Sequence, residues 1–355
     1  MASTLDNREL GAPLDAHHFD EAALAKYLVD HIDGFTGDCT VRQFLGGQSN
    51  PTFLVEAESG SYVLRKKPPG KLLPSAHAVD REYKVISALA DTKVPVPTAF
   101  LLCEDEDIIG QMFYVMDYVP GRVFTDREMD GCSSGERTAM YQSLVRVLGS
   151  LHATNYQSVG LGEFGKPSGY VARQVARWAK QYEASKVEEC AAMDEVIAWL
   201  GTNDPGDEQA AIVHGDFRPG NVIFANDKPE VAAVLDWELS TIGHPLADLG
   251  YFLMPHRLDA KTFSNGIGGL DLDGLGIPAE SDLLERYAAA ASRDEVPNID
   301  FYVIFSIFRL AAILAGVLRR GLDGNASDPR AVEQGRLYKQ FAESAWEIAS
   351  SGSRS

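Results

Sequence analysis

Leu24, Leu28 and Ile32 recur at four-residue spacing, so the pattern predicts a helix over Asp20–Ile32 with one apolar face. The period then shortens. Val41–Phe44, Thr52–Ala57 and Tyr62–Lys66 read as strands, separated by the turn Gly47-Gln48-Ser49-Asn50-Pro51 and by Ser59-Gly60. After the breaker Pro68-Pro69-Gly70 a helix is predicted over Ala76–Ala90, with Val79, Tyr83, Ile86, Leu89 and Ala90 on its apolar side. Met112–Val119 reads as a further strand and stops at Pro120-Gly121. Helical patterns dominate from there: Glu136–Thr154, Gly169–Glu183, Glu189–Leu200, Asp282–Ala291, Phe301–Leu318 and Ala331–Ala349. One strand pair, around residues 221–237, interrupts them. Strands first and helices afterwards predict an α+β fold. At 355 residues the chain exceeds what one core organises, so two lobes are expected, residues 18–118 and 119–349, joined near Tyr118–Gly121. Residues 1–17 and 350–355 read as loose ends.

The stretch Phe301–Leu318 has the length of a membrane span, but Arg309 stands at its middle. A charge there costs about 2.5–3.5 kcal/mol on insertion scales, and no second span accompanies it, so a buried core helix is predicted and no membrane partner. The 51 acidic against 32 basic residues, a net charge of −19, argue against nucleic acid, whose phosphates are held by clustered Lys and Arg. Cys39, Cys103, Cys132 and Cys190 are far apart and form no C-x-x-C pair, which suits reduced thiols in a cytoplasmic protein. Asp6, Arg8, Glu9 and Asp15 break any apolar run near the N-terminus, so no signal peptide is expected.

The candidate chemistry lies at the interruption in the helical half. Ile212-Val213 leads into His214-Gly215-Asp216-Phe217-Arg218-Pro219-Gly220-Asn221, and Val222-Ile223-Phe224 and Val231–Trp237 read as hairpin strands around Asn226-Asp227-Lys228-Pro229. A hairpin centred between Lys228 and Pro229 sets Asn221 opposite Asp236 at its open end, five residues after Asp216. Phosphoryl transfer to an alcohol uses this set: a carboxylate to orient the hydroxyl and take its proton, and oxygen donors for Mg²⁺. Asp216 is the candidate base, and Asn221 and Asp236 are the candidate ligands.

At these residues, and at Val234-Leu235-Asp236-Trp237-Glu238, the sequence resembles the aminoglycoside phosphotransferase-like kinases. The likeness is to the phosphotransferase domain that precedes some acyl-CoA dehydrogenases and to its free-standing bacterial counterparts. It extends from Phe44-Leu45-Gly46-Gly47-Gln48-Ser49-Asn50-Pro51-Thr52 to the Phe305–Arg320 helix. The resemblance implies a bilobal protein-kinase-like fold and ATP or GTP as donor. It also implies Asp216 as base, Asn221 and Asp236 as magnesium ligands, and Asp248, with His214, as support of the catalytic loop. Gly46, Gly47, Ser49 and Asn50 would then cover the phosphates. Arg65 stands where protein kinases carry lysine, with Lys66 in its place if the register slips by one; alternation sets Arg65 on the face of Val63. Glu82 would hold Arg65, unless it is a surface residue beside Arg81. Met116 takes the gatekeeper position, and the backbone of Asp117 and Val119 the adenine edge.

The acceptor is a small molecule with a hydroxyl. A hydroxyacyl compound fits the dehydrogenase-linked relatives; an aminoglycoside or amino-alcohol fits the acidic balance and the broader family. A nucleotide-binding module without turnover is a third reading, against which stand Asp216, Asn221 and Asp236, all present. His244 precedes Pro245 where many relatives carry an acid, as a loop histidine or as one facing substrate.

Overall fold

The computed structural model describes residues 9–45, 50–70, 77–206, 208–326 and 328–352. They fall into two compact units. The first comprises residues up to Val147, Val159–Leu161 and Arg218–Ser240; the second comprises Leu148–Ser158, Gly162–Phe217 and the chain from Thr241 onward. The sequence join at Tyr118–Gly121 thus lies inside the first unit, and the 218–240 hairpin packs with it.

The first unit is built on six strands, β1 (Leu10–Gly11), β2 (Cys39–Phe44), β3 (Thr52–Ala57), β4 (Gly60–Lys66), β5 (Ala99–Cys103) and β6 (Phe113–Asp117). Their order is β1-β2-β3-β4-β6-β5, and every neighbouring pair is antiparallel. Alternation along β3, β4 and β6 sends Phe53, Val55, Leu64, Phe113 and Val115 into a core shared with Leu24 and Leu28. Those leucines belong to the Glu21–His31 helix and are fully buried, each contributing about 1.5–3 kcal/mol. Asp20 caps that helix, accepting from the N–H of Ala22 (2.9 Å) and Ala23 (3.0 Å).

The Val79–Leu89 helix starts three residues later than its apolar spacing predicts, and Ala90 is exposed. Val85 and Glu82 are buried in its place on the inner face. β5 went unread in the sequence, where Pro95 and Pro97 just before it signal a loop.

The hairpin consists of β8 (Val222–Phe224) and β9 (Val231–Val234), after β7 (Ala211–Val213) in the second unit. Its register differs by one residue from the sequence arithmetic. Val222 pairs with Val234 and Ile223 with Ala233, and a bulge follows before Phe224 pairs with Val231. Asn221 therefore stands opposite Leu235, whose N–H donates to its carbonyl at 2.8 Å, and not opposite Asp236. The bulge absorbs the odd residue that a symmetric turn would have left in register.

The second unit is helical, yet it holds its own strand pair where the sequence suggested none: β7 pairs antiparallel with β10 (Thr241–Gly243), Val213 facing Thr241. At three residues each, these strands are too short to carry a period. The Ile299–Leu322 helix is long and apolar enough to cross a membrane, and 72% of its most apolar window is buried in the folded chain. The Pro245–Arg257 helix packs against it, with Gly250 so close that a Cβ would come within 2.5 Å of the Tyr302 carbonyl oxygen. Glycine costs a helix about 1 kcal/mol and here permits that approach. The helix expected over Ala331–Ala349 is two, Ala331–Arg336 and Tyr338–Gly352, broken by a tightened turn in which the Leu337 N–H bonds Gln334.

Candidate active site

In the first unit the sheet face opposite the core lines a cavity. Val63, Tyr114, Met116, Ile223 and Leu235 form its apolar walls, Asp117 and Val119 its rim, and Arg65 and Asp236 its charged end. Arg65 shares that face with Val63. Its Nε lies 2.9 Å from Glu82 Oε2 as an ion pair, off the hydrogen-bond direction, and its Nη2 reaches Glu82 Oε1 and Asp236 Oδ1, both at 3.2 Å. Lys66 is on the other face, with its ammonium 5.0 Å from the Phe19 ring centroid and 5.8 Å from that of Phe53. Burial lowers its pKa.

Glu82 is fully buried, which excludes the surface alternative. Asn50 Nδ2 donates to it at 2.6 Å and the Tyr114 hydroxyl at 3.1 Å. Burial pushes the Glu82 carboxyl upward, and Arg65 pulls it back. Burial likewise opposes the charge on Arg65, but Glu82, Tyr114 and Asp236 more than offset it and raise its pKa. Asn50 turns its side chain inward, between Glu82 and His77 (3.1 Å). Gly46, Gly47 and Ser49 lie outside the described residues. The Asp117 N–H is bonded to the Thr98 carbonyl at 2.9 Å, and Met116 is buried in the cavity wall.

Asn221 closes a short 3-10 turn, Pro219–Asn221, and is buried. Asp236 adopts a left-handed backbone (φ 64, ψ 58), a conformation that asparagine and aspartate tolerate and that costs about 1–2 kcal/mol. Trp237, fully buried, anchors the next turn by donating to the Val234 carbonyl at 3.0 Å. One amide and one carboxylate are hard oxygen donors suited to Mg²⁺, which keeps several waters and takes its remaining ligands from phosphate. No group of three or more His, Cys, Asp or Glu that could hold a metal occurs among the described residues.

In the second unit, β7 delivers the chain to His214-Gly215-Asp216. Gly215 has φ 87, a conformation that a side chain would strain. Asp248 is buried beneath the loop and accepts from the N–H of His214 (2.5 Å) and of Gly215 (2.8 Å). His152 Nε2 lies 3.4 Å from the same carboxylate, and its Nδ1 is 2.7 Å from the Tyr287 hydroxyl. Burial alone would raise the Asp248 pKa; the hydrogen bond and electrostatic attraction of His152, with the attraction and backbone N–H of His214, hold it below the ordinary carboxylate value. His214 Nδ1 accepts from the Asp216 N–H at 3.2 Å.

Asp216 itself is half-buried, and the Tyr251 hydroxyl donates to its Oδ1. Arg309 donates to the Gly215 carbonyl at 2.6 Å and lies over the Tyr251 ring. His244, the histidine considered as a substrate contact, is instead a buried helix cap. Its Nδ1 accepts from the Leu246 N–H at 3.3 Å, and its Nε2 is 3.2 Å from the Tyr302 hydroxyl. Its ring stacks on Tyr302.

Sequence reading missed Tyr251, His152 and the loop contact of Arg309. Tyr251 carries a signal, since it lies three residues beyond Asp248 on the same helix and so shares its face. His152 carries none.

Comparison with known proteins places the chain in a family. The family described as "Phosphotransferase enzyme family" matches residues 40–290. Mouse acyl-CoA dehydrogenase family member 10 is 43% identical over 329 residues, covering 92% of this chain and 31% of that protein. The chain spans less than half the length of the curated relatives it matches. A solved structure of a candidate aminoglycoside phosphotransferase from Ralstonia eutropha JMP134 is 43% identical, with a TM-score of 0.86 over 94% of this chain and 99% of that one. The aminoglycoside phosphotransferase APH(4)-Ia, crystallised as a mutant with ADP and hygromycin B, shares the fold at 15% identity, with a TM-score of 0.59 over 92% of this chain and 98% of that one. The chain belongs to the phosphotransferase enzyme family and has its α+β, bilobal kinase-like fold.

Proposed function

We propose that the protein is a cytoplasmic, magnesium-dependent kinase that transfers the γ-phosphoryl group of ATP to a hydroxyl of a small acyl compound. The observation that carries the reading is the ion-paired chain Glu82–Arg65–Asp236, running from buried Glu82 to partly exposed Asp236 in the first unit's cavity. A guanidinium held between two carboxylates suits an anionic ligand that takes over one of its contacts, and Asp236 is the candidate metal ligand. Donor handling falls to Arg65, Glu82 and the Met116–Val119 segment, with Asn50 bracing Glu82 from within.

Asp216 accepts the acceptor's hydroxyl proton while that oxygen bonds the γ-phosphorus and the bond to ADP breaks. Tyr251 orients its carboxylate, and Asp248 fixes the backbone that carries it. Asn221 and Asp236 would hold Mg²⁺, which neutralises phosphate charge when bound. The acyl preference rests on the dehydrogenase-family relatives, 43% identical for the mouse protein. An aminoglycoside or amino-alcohol acceptor is the second reading, favoured by what APH(4)-Ia is crystallised with. The four free cysteines suit a reducing compartment.

Calorimetric titration with AMP-PNP tests the donor half. Asp236→Ala is expected to weaken binding about tenfold or more with Mg²⁺ present and far less in EDTA. Equal losses in both conditions would remove Asp236 from metal binding. Arg65→Ala should raise the nucleotide requirement more than Lys66→Ala, which should chiefly lower stability through its buried place beside Phe19 and Phe53. Initial rates and thermal melts of the two variants check this, and the opposite order would contradict it.

A further inference from the structure

Arg309 is a cation that the fold does not explain. It follows Phe301–Phe308, all buried, in the central helix of the second unit, where a Leu or Met would pack without cost. Its guanidinium is half-buried, and among the described residues it has no carboxylate partner. Arg65 pairs with Glu82, Arg122 with Glu136 and Arg257 with Glu280, whereas buried Arg137 donates to the carbonyls of Glu128 and Cys132. A partly desolvated guanidinium without a counter-ion is unfavourable unless a ligand supplies one or supplies acceptors for its free N–H groups.

The position of Arg309 says which ligand. One of its five N–H donors is spent on the carbonyl of Gly215, the residue just before the candidate base, at 2.6 Å. Its guanidinium carbon lies 5.1 Å from the centroid of the Tyr251 ring, whose hydroxyl donates to Asp216. An anchored guanidinium one residue from Asp216 presents the remaining donors to whatever brings its hydroxyl to that carboxylate. The planar fork matches an acceptor with two lone pairs on sp² oxygen, and repels an ammonium group.

We infer that Arg309 is a specificity-determining residue that reads the acyl oxygen of the acceptor, the carboxylate of a hydroxy acid or the carbonyl of its thioester. This rests on the proposed phosphoryl transfer at Asp216 and adds the group by which the substrate is chosen. Tyr251, clamped between Arg309 and Asp216, couples the recognised end of the substrate to the base.

Three acceptors on one carbon skeleton separate the possibilities: 3-hydroxybutyrate, its coenzyme A thioester, and 1,3-butanediol, which lacks the acyl oxygen. Binding with AMP-PNP and Mg²⁺, and turnover with ATP, are measured for the wild type, Arg309→Gln and Arg309→Lys. The wild type is expected to prefer an acyl compound over the diol, and acid against thioester identifies the source of the oxygen. Arg309→Gln should raise KM for the acyl compound about tenfold or more, with a much smaller change in kcat and none for the diol. Arg309→Lys should recover part of that loss.

Equal losses for acyl compound and diol would reduce Arg309 to a brace of Gly215 and overturn the inference. A fall in kcat alone would assign it to the transferred phosphoryl group and likewise overturn it. Turnover of amino-alcohols, with no binding of either acyl compound, would leave the kinase reading standing and the inference refuted. Arg309-dependent binding of an acyl compound without phosphate transfer would uphold recognition and refute the kinase reading.

Discussion

Asp216→Asn is expected to lower turnover by about 100- to 10,000-fold, the range over which general-base groups act, while nucleotide affinity stays near that of the wild type. The substitution is isosteric. The amide oxygen still accepts the Tyr251 hydroxyl, and the loop backbone is held from below by Asp248 through the His214 and Gly215 N–H groups. What disappears is the negative charge that receives the proton. Arg65, Glu82 and Asp236, to which the nucleotide is assigned, belong to the other compact unit and are untouched. Initial rates together with AMP-PNP titration check both halves. Unchanged turnover would remove Asp216 from the base role, and a joint loss of binding would mean that the loop had collapsed.

Asp248→Ala should have the largest effect on stability, about 3–5 kcal/mol, because it breaks a buried network and strands two N–H donors. The Asp248 carboxylate is 3% exposed and bonds His214, Gly215 and His152 together. Its pKa in the folded protein is depressed. A depressed carboxylate contributes stability above its unfolded value, about 3.9, and loses that contribution as pH falls through the folded value. The wild type should therefore weaken below about pH 4. Asp248→Asn, which keeps acceptor oxygen but no titrating charge, should start less stable and show a flatter slope in that range. Urea denaturation across the acid range measures both curves. Parallel curves would show that Asp248 makes no such contribution.

Four of the six sheet strands and most of the long helices were legible in the sequence because each rests on local periodicity; β1, β5 and the Pro245–Arg257 helix were not. Strand alternation separated Arg65 from Lys66, and the family resemblance put Glu82 beside Arg65. Both hold in the structure, with Arg65 on Glu82 and Lys66 against Phe19 and Phe53. The hairpin register failed by one residue, since a bulge between Ile223 and Phe224 has no sequence signature among apolar residues. The left-handed Asp236 was equally hidden.

What could not be read is the support of the catalytic loop by distant residues. Asp216 meets Tyr251 across 35 positions, and Gly215 meets Arg309 across 94. Arg309 had drawn notice only as a charge too costly for a membrane. The same cost, carried into the fold, makes it informative about a ligand. His244 shows the reverse case, a residue weighed as a substrate contact that proves to be a helix cap stacked on Tyr302.

The claim that this protein is a kinase acting on a hydroxyl through Asp216 is tested most directly by following labelled phosphate from [γ-³²P]ATP with Mg²⁺. Hydroxy acids, their coenzyme A thioesters, amino-alcohols and aminoglycosides serve as acceptors, with wild type and Asp216→Asn run side by side. The account predicts a labelled phosphate ester on an acyl acceptor, dependent on Mg²⁺ and lost in Asp216→Asn. Label on aminoglycosides alone would contradict the acyl assignment, and transfer undiminished in Asp216→Asn would contradict the mechanism.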